Sequence, residues 1–367
     1  MLDAATPVGA RRLMPYRVIQ WSTGNVGKLA LRGIINHPGL ELVGLWVHGQ
    51  DKVGRDAGDL CGLGRRVGVT ATNDAAALLK LDADCVSYTA TGDLRPAEAV
   101  DDLCRILESG KNVVSTSIVP LVYPPAANPD IVARLEEACR KGRASCFTSG
   151  IDPGFANDAL PILLLSACER VDSVRVMEIL DYATYDQPTV LFDTMGFAQP
   201  LDHTPLLLIP GVLTLAWGPV IHAIAAALGT EVEDVRETYE KVPADTAFTV
   251  PSGPVPAGTM AGLRFEVQGM VRGRPAIVLE HVTRLRPDIA PQWPQPAGAG
   301  CYRVVIEGMP SMICDLQLRG AGGDHNNGGL VATAMRILNA IPAVCAAKPG
   351  LLAAQDLPFY GAPGLLA

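Results

Sequence analysis

Near the start of the chain the run Tyr16-Arg17-Val18-Ile19-Gln20-Trp21 passes at once into Ser22-Thr23-Gly24-Asn25-Val26-Gly27, and then into the amphipathic run Lys28 to Ile35. A strand, a turn of small residues and a helix make an anion site, because the first helical N–H groups lack partners within the helix and the dipole is positive there. In the usual dinucleotide fingerprint, G-x-G-x-x-G, the first position is glycine; here Ser22 holds it, and Gly24 and Gly27 remain to let the backbone approach a phosphate. A second strand, Leu40 to Val47, begins one helix later, as a βαβ unit requires. Ser22, Thr23, Gly24, Asn25, Val26 and Gly27 are therefore the expected diphosphate-binding residues. The competing reading is a strand-to-helix turn that uses glycine for packing alone.

Strand and helix signals continue to alternate: a helix over 74–80, a strand over 84–89, a helix over 95–109, a strand over 112–116, a Pro-rich loop over 120–129, a helix over 130–141 and a strand over 144–148. That alternation predicts an α/β fold, a doubly wound parallel sheet of Rossmann type. Ligands of such sheets lie at the carboxyl ends of strands, which places Thr89, Ala90 and Thr91, and Ser115, Thr116 and Ser117, beside the nicotinamide ribose. Beyond residue 150 the strands lengthen (173–180, 262–271, 274–286, 302–307, 312–318), which predicts an α+β second domain with a mostly antiparallel sheet. A helix over 329–340 follows Asn326-Asn327-Gly328 as its capped start. The expected organisation is a disordered extension over 1–14, a dinucleotide-binding domain over 15–150, a substrate and dimerisation domain over 151–325, and a segment over 326–367 that returns to the first domain.

A net charge of -8 and no long basic run argue against nucleic acid as a partner. The nine cysteines form no C-x-x-C pair and have no histidine pattern nearby, so they read as reduced thiols of a cytoplasmic protein with no metal site. Thr204 to Thr230 carries no Asp, Glu, Lys or Arg and is long enough to span a bilayer. Pro205, Pro210, Gly211, Pro219 and His222 interrupt it, so it is expected to form two short buried helices, and no other stretch reads as a membrane span.

After the second strand, where NAD-specific folds commonly place a carboxylate, stands His48-Gly49-Gln50. Lys52 and Arg55 lie close enough in sequence to meet a 2'-phosphate, which leans the expectation to NADP. Asp51 in the ribose role, and NAD as the cofactor, remain the alternative.

Trp21-Ser22-Thr23-Gly24-Asn25-Val26-Gly27 and Val53-Gly54-Arg55-Asp56-Ala57-Gly58-Asp59-Leu60 resemble the N-terminal half of dihydrodipicolinate reductases. Gly150-Ile151-Asp152-Pro153-Gly154-Phe155, the run Gly329 to Arg336, and Asn339-Ala340-Ile341-Pro342 resemble the branch of 2,4-diaminopentanoate dehydrogenase and the native amine dehydrogenases. The resemblance implies a nicotinamide-dependent interconversion of amine and ketone, or reduction of a C=N or C=O bond, in a homodimer. It also implies that Asn326 and Asn327 lie near the nicotinamide. Amine dehydrogenases carry a glutamate soon after the Ser-Thr pair that ends the fifth strand, whereas this chain reads Ser115-Thr116-Ser117-Ile118-Val119-Pro120 there. A proton donor or base must therefore come from elsewhere. The candidates are Asp152, Glu178, Tyr182 and His203, each with a bland reading beside it: a turn residue, a surface ion pair, a packed phenol and a loop residue. The function expected is hydride transfer to or from a small apolar carbonyl or amine substrate, without membrane attachment; the alternative is a cofactor-binding sensor or scaffold that has lost catalysis.

Overall fold

Strand and helix alternate from Tyr16 to Thr148 in the computed structural model, which describes residues 14–92 and 95–366. The order is β1 (Tyr16–Trp21), α1 (Asn25–Asn36), β2 (Leu40–Trp46), α2 (Ala57–Leu60), β3 (Ala71–Thr72), α3 (Ala75–Leu79), β4 (Cys85–Tyr88), α4 (Pro96–Glu108), β5 (Asn112–Ser115), α5 (Pro129–Gly142) and β6 (Ser145–Thr148). Then come α6 (Ala159–Leu165), β7 (Arg170–Asp181), α7 (Val212–Ala227), β8 (Asp234–Pro243), β9 (Phe248–Val250), β10 (Gly253–Val255), β11 (Met260–Val271), β12 (Arg274–Arg284), β13 (Gly300–Met309), β14 (Met312–Leu316), α8 (His325–Ala346) and β15 (Gly350–Leu352). The extension expected over 1–14 lies outside the described residues except for Met14.

One structural unit takes the chain up to Leu121, Asn128–Ser149 and everything from Thr333 onward. Its sheet runs β15-β6-β5-β4-β1-β2-β3, every pairing parallel. Chain order reverses at β1, which has β2 on one side and β4 on the other, and the carboxyl ends of those strands are where an open α/β sheet takes its ligand. Strands covered on both faces must be apolar throughout, and Val18, Ile19, Val86, Val113, Val114 and Phe147 are fully enclosed. Helix α1 lays Gly27, Ala30, Leu31 and Ile34 on this sheet. Helix α8 is long and apolar enough to cross a bilayer, a property the sequence reading missed. From Thr333 on, however, its apolar residues Ala334, Ile337, Leu338, Ile341 and Val344 are core of this unit, packed with Val18, Ala30, Ile34 and Phe147. The helix starts at His325, a turn earlier than predicted, with Asp324 Oδ1 accepting from the Asn326 N–H; Asn326 and Asn327 are first-turn residues, not caps.

The other unit comprises Val122–Ala127 and Gly150–Ala332. Its six-stranded sheet, β14-β13-β7-β12-β11-β8, is mixed: β7 and β12 pair parallel and the remaining neighbours antiparallel. Helix α7 packs along β11, β12 and β8. The uncharged stretch forms one short turn at Leu206–Leu208 and this single helix, not two. Pro219 is tolerated inside α7 because Gly218 before it has no Cβ to clash with the proline ring.

Candidate active site

At the end of β1 the chain turns through Ser22, whose φ of 83° is a left-handed conformation, so the fingerprint's first position keeps glycine-like geometry without glycine. Gln20 Nε2 donates to Ser22 O at 2.9 Å and to Thr89 Oγ1 at 2.8 Å, and Thr89 Oγ1 donates to Trp21 O at 3.0 Å. These bonds pin the ends of β1 and β4 together at the switch point. A Cβ on Gly27 would sit 2.6 Å from Ser22 O and 2.8 Å from Thr89 Oγ1, so only glycine fits there. Gly24 caps α1 with no side-chain bond and has open space around it. Asn25 and Val26 open the helix behind it. Buried Thr23 accepts from Lys52 Nζ at 3.2 Å, which brings a cation to the bend. The cradle therefore fits the diphosphate of a dinucleotide: backbone donors, a positive helix end, a lysine and no side chain in the way.

Several other expected cofactor residues are committed to the protein itself. Ser115 Oγ accepts from Ser117 N at 2.9 Å, and Ser117 Oγ donates to the Ala90 carbonyl, so the two serines brace the loops after β4 and β5. Thr116 N donates to Tyr88 O. Ile118 follows with φ 56°, buried, in place of a carboxylate. Thr91 and His48 are exposed, and the His48 ring lies 6.1 Å from that of Trp46. In the second unit the Asn326 amide donates to Asp181 O at 2.9 Å and Thr184 Oγ1 at 2.8 Å, and Asn327 Oδ1 accepts from Ala321 N. Both asparagines fasten the start of α8.

The second unit also encloses a charged cluster. Asp152 stands in the turn Gly150–Gly154, held by Asn157 Nδ2 at 2.6 Å and Trp217 Nε1 at 2.8 Å, both to Oδ1. Glu178 lies on β7 with its neighbours set by register: His281 of β12 on one side and Tyr302 of β13 on the other. Tyr182 donates its hydroxyl to Glu178 Oε1 at 2.6 Å. His281 Nε2 is 3.2 Å from Asp152 Oδ2 and Nδ1 is 3.4 Å from Glu178 Oε1, contacts of charge rather than aligned hydrogen bonds. The imidazole stacks on Phe265 at 4.6 Å and meets the edge of Trp217 at 4.7 Å. Burial alone lowers the affinity of that ring for a proton, but the two carboxylates outweigh it and push His281 up to about 10. Burial, then the Glu178 charge, raise Tyr182 and Tyr302 well above the ordinary phenol range, so both keep their protons.

Of the expected catalytic residues, Asp152, Glu178 and Tyr182 come together, and the surface-pair reading of Glu178 fails because it is only 4% exposed. His203 does not join them. It lies exposed in a turn closed by its N–H to Pro200 O, and its carbonyl accepts from Lys241 Nζ. His281, Trp217 and Tyr302 were missed by sequence reasoning; the available signal was a polar Glu280-His281 pair inside the otherwise apolar run of β12. Among the described residues, Asp152, Glu178 and His281 are the one group close enough to hold a metal ion. One ligand atom from each lies within 4.8 Å of the others, and with the two ring nitrogens set against the two carboxylates the same three groups form a buried ion cluster without a metal.

Residues 155–363 match the C-terminal domain of 2,4-diaminopentanoate dehydrogenase. An amine dehydrogenase of Streptomyces virginiae is 43% identical over 351 residues, covering 95% of this chain and 98% of that protein. The 2,4-diaminopentanoate dehydrogenase of Acetoanaerobium sticklandii is 26% identical over 71% of this chain and 70% of its own length. The solved structure of an amine dehydrogenase from Mycobacterium smegmatis shares the fold, with a TM-score of 0.76 at 22% identity, covering 96% of this chain and 98% of that one.

Proposed function

Because the chain belongs to the family of 2,4-diaminopentanoate dehydrogenase and the amine dehydrogenases, we propose that it is an NAD(P)-dependent oxidoreductase that interconverts an amine and its ketone. The observation that carries this reading is the switch-point bend, where Gly27 is the only residue that fits and Lys52 adds positive charge. Ser22 to Gly27 would hold the diphosphate of NADP or NAD. The lean to NADP rests on Lys52 with Arg55 nearby, against Asp51 as an acceptor for a free ribose. When bound, the nicotinamide supplies or accepts the hydride.

Proton handling then falls to the chain. Oxidation of an amine requires its ammonium to lose a proton before hydride can leave carbon, and reduction of a ketone with ammonia requires one to be returned. With no carboxylate after β5, Glu178 takes this task in our reading: its carboxylate accepts the proton that the substrate releases, Tyr182 orients it by donating to Oε1, and Asp152 completes the charge on the far side. A cytoplasmic homodimer is part of the proposal, supported by nine free cysteines and by family resemblance.

The test is coenzyme oxidation followed by absorbance, with NADPH and NADH, over a panel of apolar ketones with and without ammonia. Turnover that depends on ammonia is expected. Turnover without ammonia would turn the reading to ketone reduction, and tight coenzyme binding with no turnover would favour the sensor.

A further inference from the structure

Asp152 and Glu178 are two buried acids within reach of one imidazole, and both can stay ionised in an apolar interior where a cation lies between them; without it one would take up a proton. Among the described residues, the side chain placed to be that cation is His281. Its position is set by three elements: β12 registers it beside Glu178, β11 supplies Phe265 as a flat support, and α7 supplies the Trp217 edge. The geometry points to His281 as the positioning residue of the acid–base centre: a permanent imidazolium, charged on both nitrogens, that fixes the two carboxylates and orients Glu178 toward Tyr182.

The groups facing the ring support this role. Glu178 comes from β7, Asp152 from the turn before α6, and Tyr302 from β13; Tyr182 and Tyr185 follow β7. Trp217 of α7 and Phe265 of β11 carry no charge. Every titratable neighbour is thus an acid or a phenol, so nothing at the site pushes the ring toward neutrality except burial. Trp217 also holds Asp152 Oδ1 while its edge meets the ring, so the aspartate and the imidazolium are oriented by one indole. His281 holds its proton and does not exchange it during the reaction. The proton that moves is the one exchanged between the substrate and the Glu178 carboxylate.

This inference rests on the dehydrogenase reading for its consequence in catalysis, but the charge state is measurable without turnover. In the full-length protein, nitrogen-15 NMR of the histidine rings is expected to show one residue, lost in His281→Gln, protonated on both nitrogens and unchanged from pH 6 to 9. In Glu178→Gln, which keeps the shape and removes one charge, that resonance should begin to titrate within the same range. A neutral ring at pH 7 in the wild type, or an unchanged resonance in Glu178→Gln, overturns the assignment. In kinetics, His281→Gln should move the acidic limb of the kcat/KM profile by about one pH unit or more and lower kcat about tenfold, with coenzyme affinity unaltered. His281→Lys, which returns a cation, should restore the limb; a wild-type profile in His281→Gln overturns the positioning role. A wild type inactive on every ketone would defeat the dehydrogenase reading, while the NMR result would still judge the imidazolium.

Discussion

Gly27 shows how a single hydrogen in place of a methyl group decides whether a site exists. Its α-carbon lies against the Ser22 carbonyl and the Thr89 hydroxyl, both locked by Gln20, so neither can retreat cheaply. Gly27→Ala is expected to lower coenzyme affinity at least about tenfold and to cost roughly 1–3 kcal/mol of stability; titration of coenzyme fluorescence and thermal unfolding check the two parts. His281 carries a pH signature of its own. Folding raises it from its ordinary 6.5 to about 10, so the native chain retains a proton that the unfolded chain releases between those values. The stabilisation is complete below pH 6.5 and is lost as the pH rises through 10. The melting temperature of the wild type should accordingly fall toward that of His281→Gln across this window. Equal pH dependence in the two proteins would contradict the raised value.

On the scale of elements, β12 is the instructive case. Adjacent strand residues point to opposite faces, and β12 puts Glu280 on one and His281 on the other, both buried, each with its own partners. Glu280 bonds Arg175 and, at 2.8 Å, Arg264. Glu266 also reaches both arginines, at 2.7 and 3.6 Å, so Glu280→Ala leaves them partly paired. The expected loss is about 1–3 kcal/mol in urea unfolding, below that of a wholly enclosed pair, with the pH–rate profile unmoved. The sequence displays neither partner set, because each joins a residue of the neighbouring strand β11 to residues of β7 about a hundred positions away. Elements with strong local periodicity, α4 and α5 with β1, β2, β4, β5 and β6, were legible to within a residue or two, and α1 except for a start three residues early at Asn25. Strand β8 was not, because its residues, Asp-Val-Arg-Glu-Thr-Tyr-Glu-Lys-Val-Pro, sit at a sheet edge and lack an apolar alternation. The uncharged stretch, expected as two helices, forms one helix after a short turn, and Gly218 before Pro219 lets that helix continue.

For the whole molecule, the sequence alone determined the parallel-sheet half with its strand, bend and helix at the start, since these are contiguous and their physics is local: unpaired N–H groups, a dipole, and no side chain at Gly24 and Gly27. It also named Asp152, Glu178 and Tyr182 of the buried cluster, but not Tyr302, Trp217 or Phe265. Only the tertiary structure decided that Asp152 joins Glu178 and Tyr182, that His281 lies between the two carboxylates and that His203 stands apart, because His281 is more than a hundred positions from either carboxylate and is brought there by strand register. The return of the chain at β15 to the first sheet was likewise settled by the parallel pairing of Gly350–Leu352 with β6. Three residues are too few for a period to show, and it is the hydrogen bonds offered by an existing sheet edge that make them a strand.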